Sequence, residues 1–323
     1  MWIDHGRFGI LLACFILLEQ GGLVRAAEAG AASRPKADVA PVPTSTRDPV
    51  ELELRKIMIA DDEAQDEADR WIKDNAAFKS QGAGLGDATL RARVSQRLDP
   101  VRLSYERFLE KHPKHARARL AYGSFLNDLG EEFEAMQQWE KARELDPTQP
   151  AAWNNLANYF GHRGPVRKAF EYYQKAIELN PNESVYYHNF GTTVFLFRKD
   201  AQEVFQINEQ QVFDKALTLY ALALKLDPKN FPLASDVAQT YYGIKPTRMQ
   251  DALAAWEHAL TLAGDSAERE GVYLHMARLK IMGGEFDAAR RHLSAVTNAM
   301  YQVLKDRVVK NLAEREAKAV KAP

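Results

Sequence analysis

Small and aromatic apolar residues recur along this chain at fixed distances, in phase with prolines that interrupt the pattern. The prolines Pro113, Pro147, Pro181 and Pro228 are separated by 34, 34 and 47 residues. Proline cannot continue a helix, so each of these positions is expected to close one. Leucine, alanine, glutamate, lysine and arginine are plentiful and β-branched runs are few, which favours helix. The pattern predicts an all-α protein made of repeated helices.

Three further columns keep the phase of the prolines, two of small residues and one of large aromatic residues. They are Gly123, Ala157, Gly191 and Ala238; Ala135, Ala169 and Ala216; and Trp139, Tyr173, Tyr220 and Trp256. Small residues would let two antiparallel helices approach closely, and the aromatic residues would fill the space between neighbouring repeats. The longer steps place an insertion at about Arg198 to Gln210 and a shorter one at Gly243 to Pro246. Both lie between the two helices of a repeat.

The motif in these columns resembles the tetratricopeptide repeat, a 34-residue pattern of W-x2-L-G-x2-Y, then A-x3-F and a closing proline. Its fullest match is Trp153, Leu156, Ala157, Phe160, Ala169, Tyr173, Ala176 and Pro181. The five motifs that we recognise start near Ala116, Pro150, Ser184, Phe231 and Glu270. The resemblance covers residues 116–303 and implies an all-α, right-handed α-solenoid of tetratricopeptide helix hairpins, with leading and C-terminal capping helices.

Residues 49–115 and 304–323 are predicted to flank the repeats with further helices. Pro49 to Ser80 is predicted to form a leading helix, and Val101 to Pro113 the second helix of a degenerate repeat. Residues 304–323 form a charged segment. Because the ends of a solenoid need a polar outer face, this segment is predicted to be the capping helix.

The first 26 residues are predicted to be a secretory signal peptide. An apolar run of 11 residues, Phe8 to Leu18, is followed by small residues that suit cleavage after Ala26 or Ala29. The run is short for a membrane span, which needs about 20 apolar residues, but an uncleaved anchor and a lipid anchor on Cys14 stay open as alternatives. Residues 27–48 are predicted to be a flexible linker. The expected location is the periplasm or the extracellular space, with or without a membrane tether.

Composition, charge and the absence of known motifs make several classes of function unexpected. The formal net charge is −1 and the short basic patches have acidic neighbours, so nucleic-acid binding is not expected. The one cysteine, Cys14, lies in the apolar run, which leaves no disulfide or Cys-based metal site in the folded part. Pro113 separates His112 from His115, and no metal is expected there. The sequence has no GxSxG, phosphate-loop, HExxH or EF-hand motif, so neither an enzyme activity nor a cofactor is expected.

The resemblance assigns partner binding to the first helix of each repeat. In the family, the second, fifth, sixth, ninth and twelfth positions of that helix line a concave groove. The predicted site consists mainly of polar residues at these positions: Arg117, Ser124, Asn154, Asn155, Asn158, His188, Asn189, Thr192, Asp236, Gln239, His275 and Arg278. Asn155 and Asn189 stand one repeat apart, and an Asn amide can both donate to and accept from a peptide bond. Asparagine is also common at this position of such helices, so a purely structural role stays open.

These observations predict a non-enzymatic protein–protein interaction scaffold of the cell envelope, which holds a peptide or a partner subunit in the groove. The alternative is an accessory subunit of an envelope or carbohydrate-processing enzyme complex. The sequence names neither the partner nor the oligomeric state. It also leaves open whether the insertion at 198–210 extends a helix or folds over the groove.

Overall fold

The computed structural model describes residues 48–321, so the predicted signal peptide and nearly all of the predicted linker lie outside the described residues. Within residues 48–321 the chain forms α-helices and short 3-10 turns, without a β-strand. The helices are α1 (Pro49–Ser80), α2 (Asp87–Lys111), α3 (Ala116–Asp128), α4 (Glu132–Leu145), α5 (Pro150–Arg163), α6 (Val166–Leu179), α7 (Ser184–Leu196), α8 (Arg198–Phe205), α9 (Glu209–Leu226), α10 (Phe231–Thr240), α11 (Met249–Leu262), α12 (Ser266–Met282), α13 (Phe286–Ser294) and α14 (Gln302–Lys321). The all-α fold predicted from the sequence is confirmed.

The helices pair in sequence order as hairpins within two compact units, residues 48–181 and 182–321. In the first unit α1 pairs with α2, α3 with α4, and α5 with α6. In the second unit α7 pairs with α9, α10 with α11, and α12 with α13, while α14 contacts both helices of the last hairpin. Among these described helices, none is both long and apolar enough to cross a membrane.

The recurring residues act as the sequence predicts. The four prolines lie in the turns that follow α2, α4, α6 and α9. Every member of the small columns and of the aromatic column is buried, and Tyr173 and Trp256 are among the largest side chains with almost no exposed surface. The hairpins are therefore held by close contact of small residues with the large rings of the facing helix.

The first hairpin is longer than the others. Helices α1 and α2 run antiparallel, as shown by bonds from Arg97 to Glu67 (2.7 Å), from Tyr105 to Asp61 (2.9 Å) and from Lys111 to Glu53 (3.1 Å). The helix predicted at 101–113 is real but begins earlier, at Asp87, and continues through Pro100 to Lys111. The prediction missed this part because its repeat columns give no signal so far upstream.

The long insertion forms a helix of its own, α8, which contacts α7 and α9. Gln206 ends it in the left-handed conformation (φ 53°), and the side chains of Asn208 and Gln211 then form a capping box that starts α9. The ring centres of Phe205 and Phe190 lie 6.3 Å apart, and the Nζ of Lys215 lies 4.3 Å from the Phe205 ring centre. The apolar residues of the insertion thus anchor it to the neighbouring hairpin.

The fifth repeat begins earlier than predicted. Its first helix, α12, starts at Ser266 and not near Glu270, because the Asp265 side chain accepts from the Glu268 backbone N–H at 2.8 Å and caps the helix there. Behind it, α14 covers the last hairpin with Val308 and Leu312, which join a buried cluster. The other members of that cluster are Leu274, Ala277, Ile281, Ala289, Leu293 and Val296.

Glu270 fixes the chain between α13 and α14. Its carboxylate accepts from the backbone N–H groups of Thr297 (2.7 Å) and Asn298 (2.6 Å) and faces the Thr297 hydroxyl at 3.2 Å. These bonds hold the pKa of Glu270 below its ordinary value, and the bond from the Asn298 backbone N–H has the largest effect. A carboxylate with a lowered pKa stabilises the fold above its unfolded-state pKa, and this contribution is lost as the pH falls through the folded-state pKa.

Replacement of Glu270 by Ala is expected to lower the free energy of unfolding by about 1.5 kcal/mol at neutral pH, because two backbone donors lose a charged acceptor. Urea unfolding followed by circular dichroism measures the change. The loss should shrink in acid, where the wild-type carboxylate is protonated. The exposed Glu257 on α11 supplies the control, and its replacement by Ala should change little. Equal losses in the two variants would contradict the role of Glu270.

Candidate partner-binding face

The predicted site residues all lie on first helices of hairpins, but they fall into two sets. The first unit carries Arg117, Ser124, Asn154, Asn155 and Asn158, on α3 and α5. The second unit carries His188, Asn189, Thr192, Asp236, Gln239, His275 and Arg278, on α7, α10 and α12. We call the second set, together with Tyr242, the inner face of the second unit.

In the first unit, a chain of hydrogen bonds joins three of the predicted residues to one another. The Asn154 amide donates to Asn155 Oδ1 at 3.3 Å, and the Asn155 amide donates to Ser124 Oγ at 3.4 Å. Asn155 keeps only 8% of its surface exposed. Its donor and its acceptor are therefore engaged within the protein, and little of the amide is available to a peptide.

The other two residues of the first unit also have internal partners. Arg117 donates to Glu51 of α1 at 2.9 Å, and Nε2 of His115 lies 3.4 Å from the other oxygen of the same carboxylate. Asn158 is partly exposed, and its Oδ1 accepts from the Tyr173 hydroxyl at 2.6 Å. The sequence did not identify Glu51 as the partner of Arg117, because α1 lies outside the repeat pattern.

In the second unit, α7 is tied to its neighbours by two polar contacts. His188 Nε2 lies 3.4 Å from Oδ2 of Asp236 on α10. The Thr192 hydroxyl lies 3.0 Å from the hydroxyl of Tyr220 on α9. Burial raises the pKa of Tyr220, so this phenol stays neutral. Asn189, like Thr192, is almost completely buried. These groups hold α7 against α9 and α10 and expose little polar surface.

A second polar cluster forms around His275 on α12. The His275 ring stacks on the ring of Trp256, with centroids 4.1 Å apart and planes 8° apart. The Tyr242 hydroxyl lies 3.3 Å from His275 Nδ1 and donates to the backbone oxygen of His275 at 3.2 Å. Burial, and then the charge of Arg278, lower the pKa of His275 to about 3. The imidazole is therefore neutral at physiological pH.

Two members of the inner face have unused hydrogen-bonding groups. Within residues 48–321, neither Gln239 nor Arg278 makes a side-chain hydrogen bond or an ion pair, and both are partly exposed. The guanidinium carbon of Arg278 lies 4.9 Å from the centre of the Tyr242 ring. Tyr242 was not predicted, because it sits in the 3-10 turn after α10, where the shorter insertion disturbs the repeat.

The inner face of the second unit carries groups suited to non-covalent binding. Its groups can donate and accept hydrogen bonds and present one cation on an aromatic surface. Within the described part of the chain, no three His, Cys, Asp or Glu side chains come together in a way that could hold a metal ion.

Comparison with known proteins places one segment in a family. Residues 150–183 match the family model described as Tetratricopeptide repeat. They begin where α5 begins and include all of α6, so the match spans one complete hairpin. No curated protein sequence matches the chain.

Several solved structures are similar in fold. The pilF protein of Pseudomonas aeruginosa is 17% identical with a TM-score of 0.49, over 76% of this chain and 99% of that one. YrrB, described as a TPR protein with an unusual peptide-binding site, is 13% identical with a TM-score of 0.48, over 64% and 97%. MamA from Desulfovibrio magneticus RS-1 is 14% identical with a TM-score of 0.45, over 56% and 92%. At these scores the similarity carries no argument about function.

The family assignment therefore depends on the sequence repeat and not on the similar structures. The hairpin at 150–183 matches the family model, and the hairpins before and after it bury the same columns of small and aromatic residues. This protein therefore contains a tetratricopeptide repeat, at residues 150–183.

Proposed function

We propose that this protein is a non-enzymatic scaffold of the cell envelope, which binds a peptide or a partner subunit along the first helices of its repeats. Tetratricopeptide repeat proteins generally act as interaction scaffolds. The envelope location is supported by the apolar run and small residues at the N-terminus of the sequence.

One observation carries the binding proposal. On the inner face of the second unit, Gln239 and Arg278 are partly exposed and make no side-chain hydrogen bond or ion pair within residues 48–321. Other polar residues of this face have contacts within the fold: His188 lies 3.4 Å from Asp236, and Thr192 lies 3.0 Å from the Tyr220 hydroxyl. A hydrogen-bonding group engaged within the fold must give up its partner before it can bind a ligand, and this costs free energy. Groups without such a partner can bind a peptide amide or a carboxylate without that loss.

Asn155 and Asn189 are poor positions for a test of binding. Simultaneous replacement of Asn155 and Asn189 by Ala removes two nearly buried amides, so it would mainly report on stability. Gln239 is the better probe position, because it is partly exposed and its replacement breaks no hydrogen bond in the described chain.

We expect a photo-cross-linking amino acid at position 239 to capture a specific partner in the native envelope. The same amino acid at the exposed position 257, on the second helix of that hairpin, should capture none. Mass spectrometry of the adducts identifies the captured protein and the segment bound. The same adducts in equal yield from both positions, or none from 239, would contradict binding along the first helices.

A further inference from the structure

Helix α1 of the first unit carries an exposed stripe on the face opposite to its buried residues. The members of this stripe recur at steps of three or four, which places them on one side of the helix. The first six, all exposed, are Ile59, Asp62, Glu63, Asp66, Arg70 and Lys73. Leu54, Ala64 and Ala68 lie on the other side of the helix and are buried. We call the exposed residues the outer stripe of α1.

The charged side chains of the outer stripe are not used within the fold. Between residues 48 and 321, neither its three acids at 62, 63 and 66 nor its bases Arg70 and Lys73 make a hydrogen bond or an ion pair. Glu67, beside the stripe, does bond to Arg97 of α2 at 2.7 Å. Ile59 adds an apolar side chain that is 50% exposed. The outer stripe therefore offers both charge and apolar surface to another molecule.

The order of the charges favours a second copy of the same helix. Along the outer stripe the three acids come first and the two bases follow. When two such helices pack antiparallel, the acidic half of each one meets the basic half of the other, whereas parallel packing in register brings like charges together. With a two-fold axis near residue 68, residues whose numbers sum to about 136 lie at the same height. Two-fold pairing of this kind is the commonest arrangement of protein dimers.

In this register the charges of the two copies meet as opposite pairs. Lys73 of one copy lies at the height of residue 63 of the other, within one helical turn of Asp62 and Asp66. Arg70 lies at the height of residue 66, within one turn of Glu63. Each of these contacts occurs twice because of the symmetry. Ion pairs between helices that pack side by side fix their orientation and their register.

The remaining residues of the outer stripe set the strength of the contact. Ile59 of one copy comes level with Ala77 of the other, and the small alanine lets the two helices approach closely. Asp74 comes level with Asp62, and this pair of like charges opposes the pairing. Exposed ion pairs contribute little individually, so we expect a weak and reversible dimer.

We propose that the outer stripe of α1 is a self-association surface, at which two copies of this protein pair antiparallel about a two-fold axis. The occupant is a second copy of the chain because the stripe is complementary to itself. This inference goes beyond the proposed function and does not depend on it, since the inner face of the second unit lies on other helices. Pairing would give the scaffold two copies of each binding face, and hence bivalent binding of a repeated partner.

Charge reversal tests the pairing, with light scattering of the full chain over a range of concentrations as the measurement. Lys73→Glu places an acid opposite Asp62 and Asp66 twice in each dimer, and should weaken the association about 100-fold. The double change Asp62→Lys and Asp66→Lys should do the same. An equimolar mixture of these two variants should pair again, because the facing charges are then opposite. Lys141→Glu, at an exposed lysine of α4, is the matched control and should change little.

Two further changes test the register. Asp74→Lys should strengthen the association, because it removes the pair of like charges. In a chain whose one natural cysteine, Cys14, is replaced by Ser, Ile59→Cys together with Ala77→Cys should give a covalent dimer on mild oxidation. Either cysteine alone should give none, since the two copies of one position lie about 27 Å apart along the helix pair.

Circular dichroism checks that each variant is folded, and added salt should weaken the wild-type association. A chain that stays monomeric at every concentration, an association unaffected by Lys73→Glu, or an equal loss in the Lys141 variant would overturn the inference. So would a mixture that fails to pair, or a covalent dimer from either single cysteine. Cross-linking from position 239 tests the scaffold proposal separately, because position 239 lies on α10.

Discussion

Replacement of Asp61 by Asn is expected to stabilise the first unit by about 3 kcal/mol at pH 8. Asp61 lies between α1 and α2, where it accepts from the buried Tyr105 hydroxyl at 2.9 Å. Burial, with further contributions from Asp128 and Asp62, raises the pKa of Asp61 to about 7. An amide oxygen can accept the same hydrogen bond from Tyr105, but it carries no charge that must be desolvated.

The sign of the pH dependence follows from this raised pKa. Between the ordinary pKa of an aspartate, 3.8, and about 7, the folded state binds more protons at Asp61 than the unfolded state does. The contribution of this group to stability is fully present below the unfolded pKa. It is lost as the pH rises toward the folded pKa. The amide introduced by Asp61→Asn does not titrate, so the variant should not show this loss.

Urea unfolding at about pH 5 and pH 8 measures the effect, and the gain in the variant should be larger at the higher pH. Asp66→Asn is the matched control, since Asp66 lies on the same helix and is exposed. A gain of the same size at both pH values would contradict the assignment to Asp61. So would an equal gain in the Asp66 variant, which would show a general effect of reduced negative charge.

The fold could be predicted because its determinants recur along the sequence. Each of the four recurring prolines follows a helix, and Gly123 and Gly191 each face a ring of the partner helix. Steps of 34 residues, lengthened once to 47 by the insertion, therefore predict the hairpins. The start of α12 at Ser266 was missed because it depends on one local capping bond from Asp265. The upstream part of α2 was missed because it precedes the first repeat and shares none of the columns.

The candidate site could be predicted only as a set of positions. The repeat assigns both Asn155 and Arg278 to groove-lining positions of first helices. It does not show which of these side chains already bond to other residues of the protein. Asn155 bonds to Ser124, and Arg117 bonds to Glu51 of a helix outside the repeats. Such pairings join residues far apart in sequence, and they depend on how neighbouring hairpins pack. The choice of Gln239 and Arg278 therefore required the three-dimensional contacts.

The second large effect is expected at Gly123, where the first two helices of the repeat array meet. A Cβ at this position would lie 2.6 Å from Cδ1 and Nε1 of Trp139 and 3.1 Å from the backbone oxygen of Ala135. Trp139 is itself buried at 4% exposure, so it has little room to move. Overpacking of this kind costs about 3 kcal/mol, while Ala gains about 1 kcal/mol over Gly in a helix. Gly123→Ala is therefore expected to be destabilised by about 2 kcal/mol.

Gly191 tests this balance two steps along the same column. There a Cβ would lie 3.0 Å from Tyr220 and 3.2 Å from the Ala216 oxygen, so a small shift of the ring is enough. Gly191→Ala should be close to neutral, because strain of about 1 kcal/mol offsets the gain in helix propensity. Urea unfolding measures the free energy of unfolding of both variants. An equal loss of stability in the two would show that the contact with Trp139 does not cause the destabilisation at Gly123. Because the cost comes from that ring, combining Gly123→Ala with Trp139→Tyr should destabilise the protein less than the sum of the two single changes.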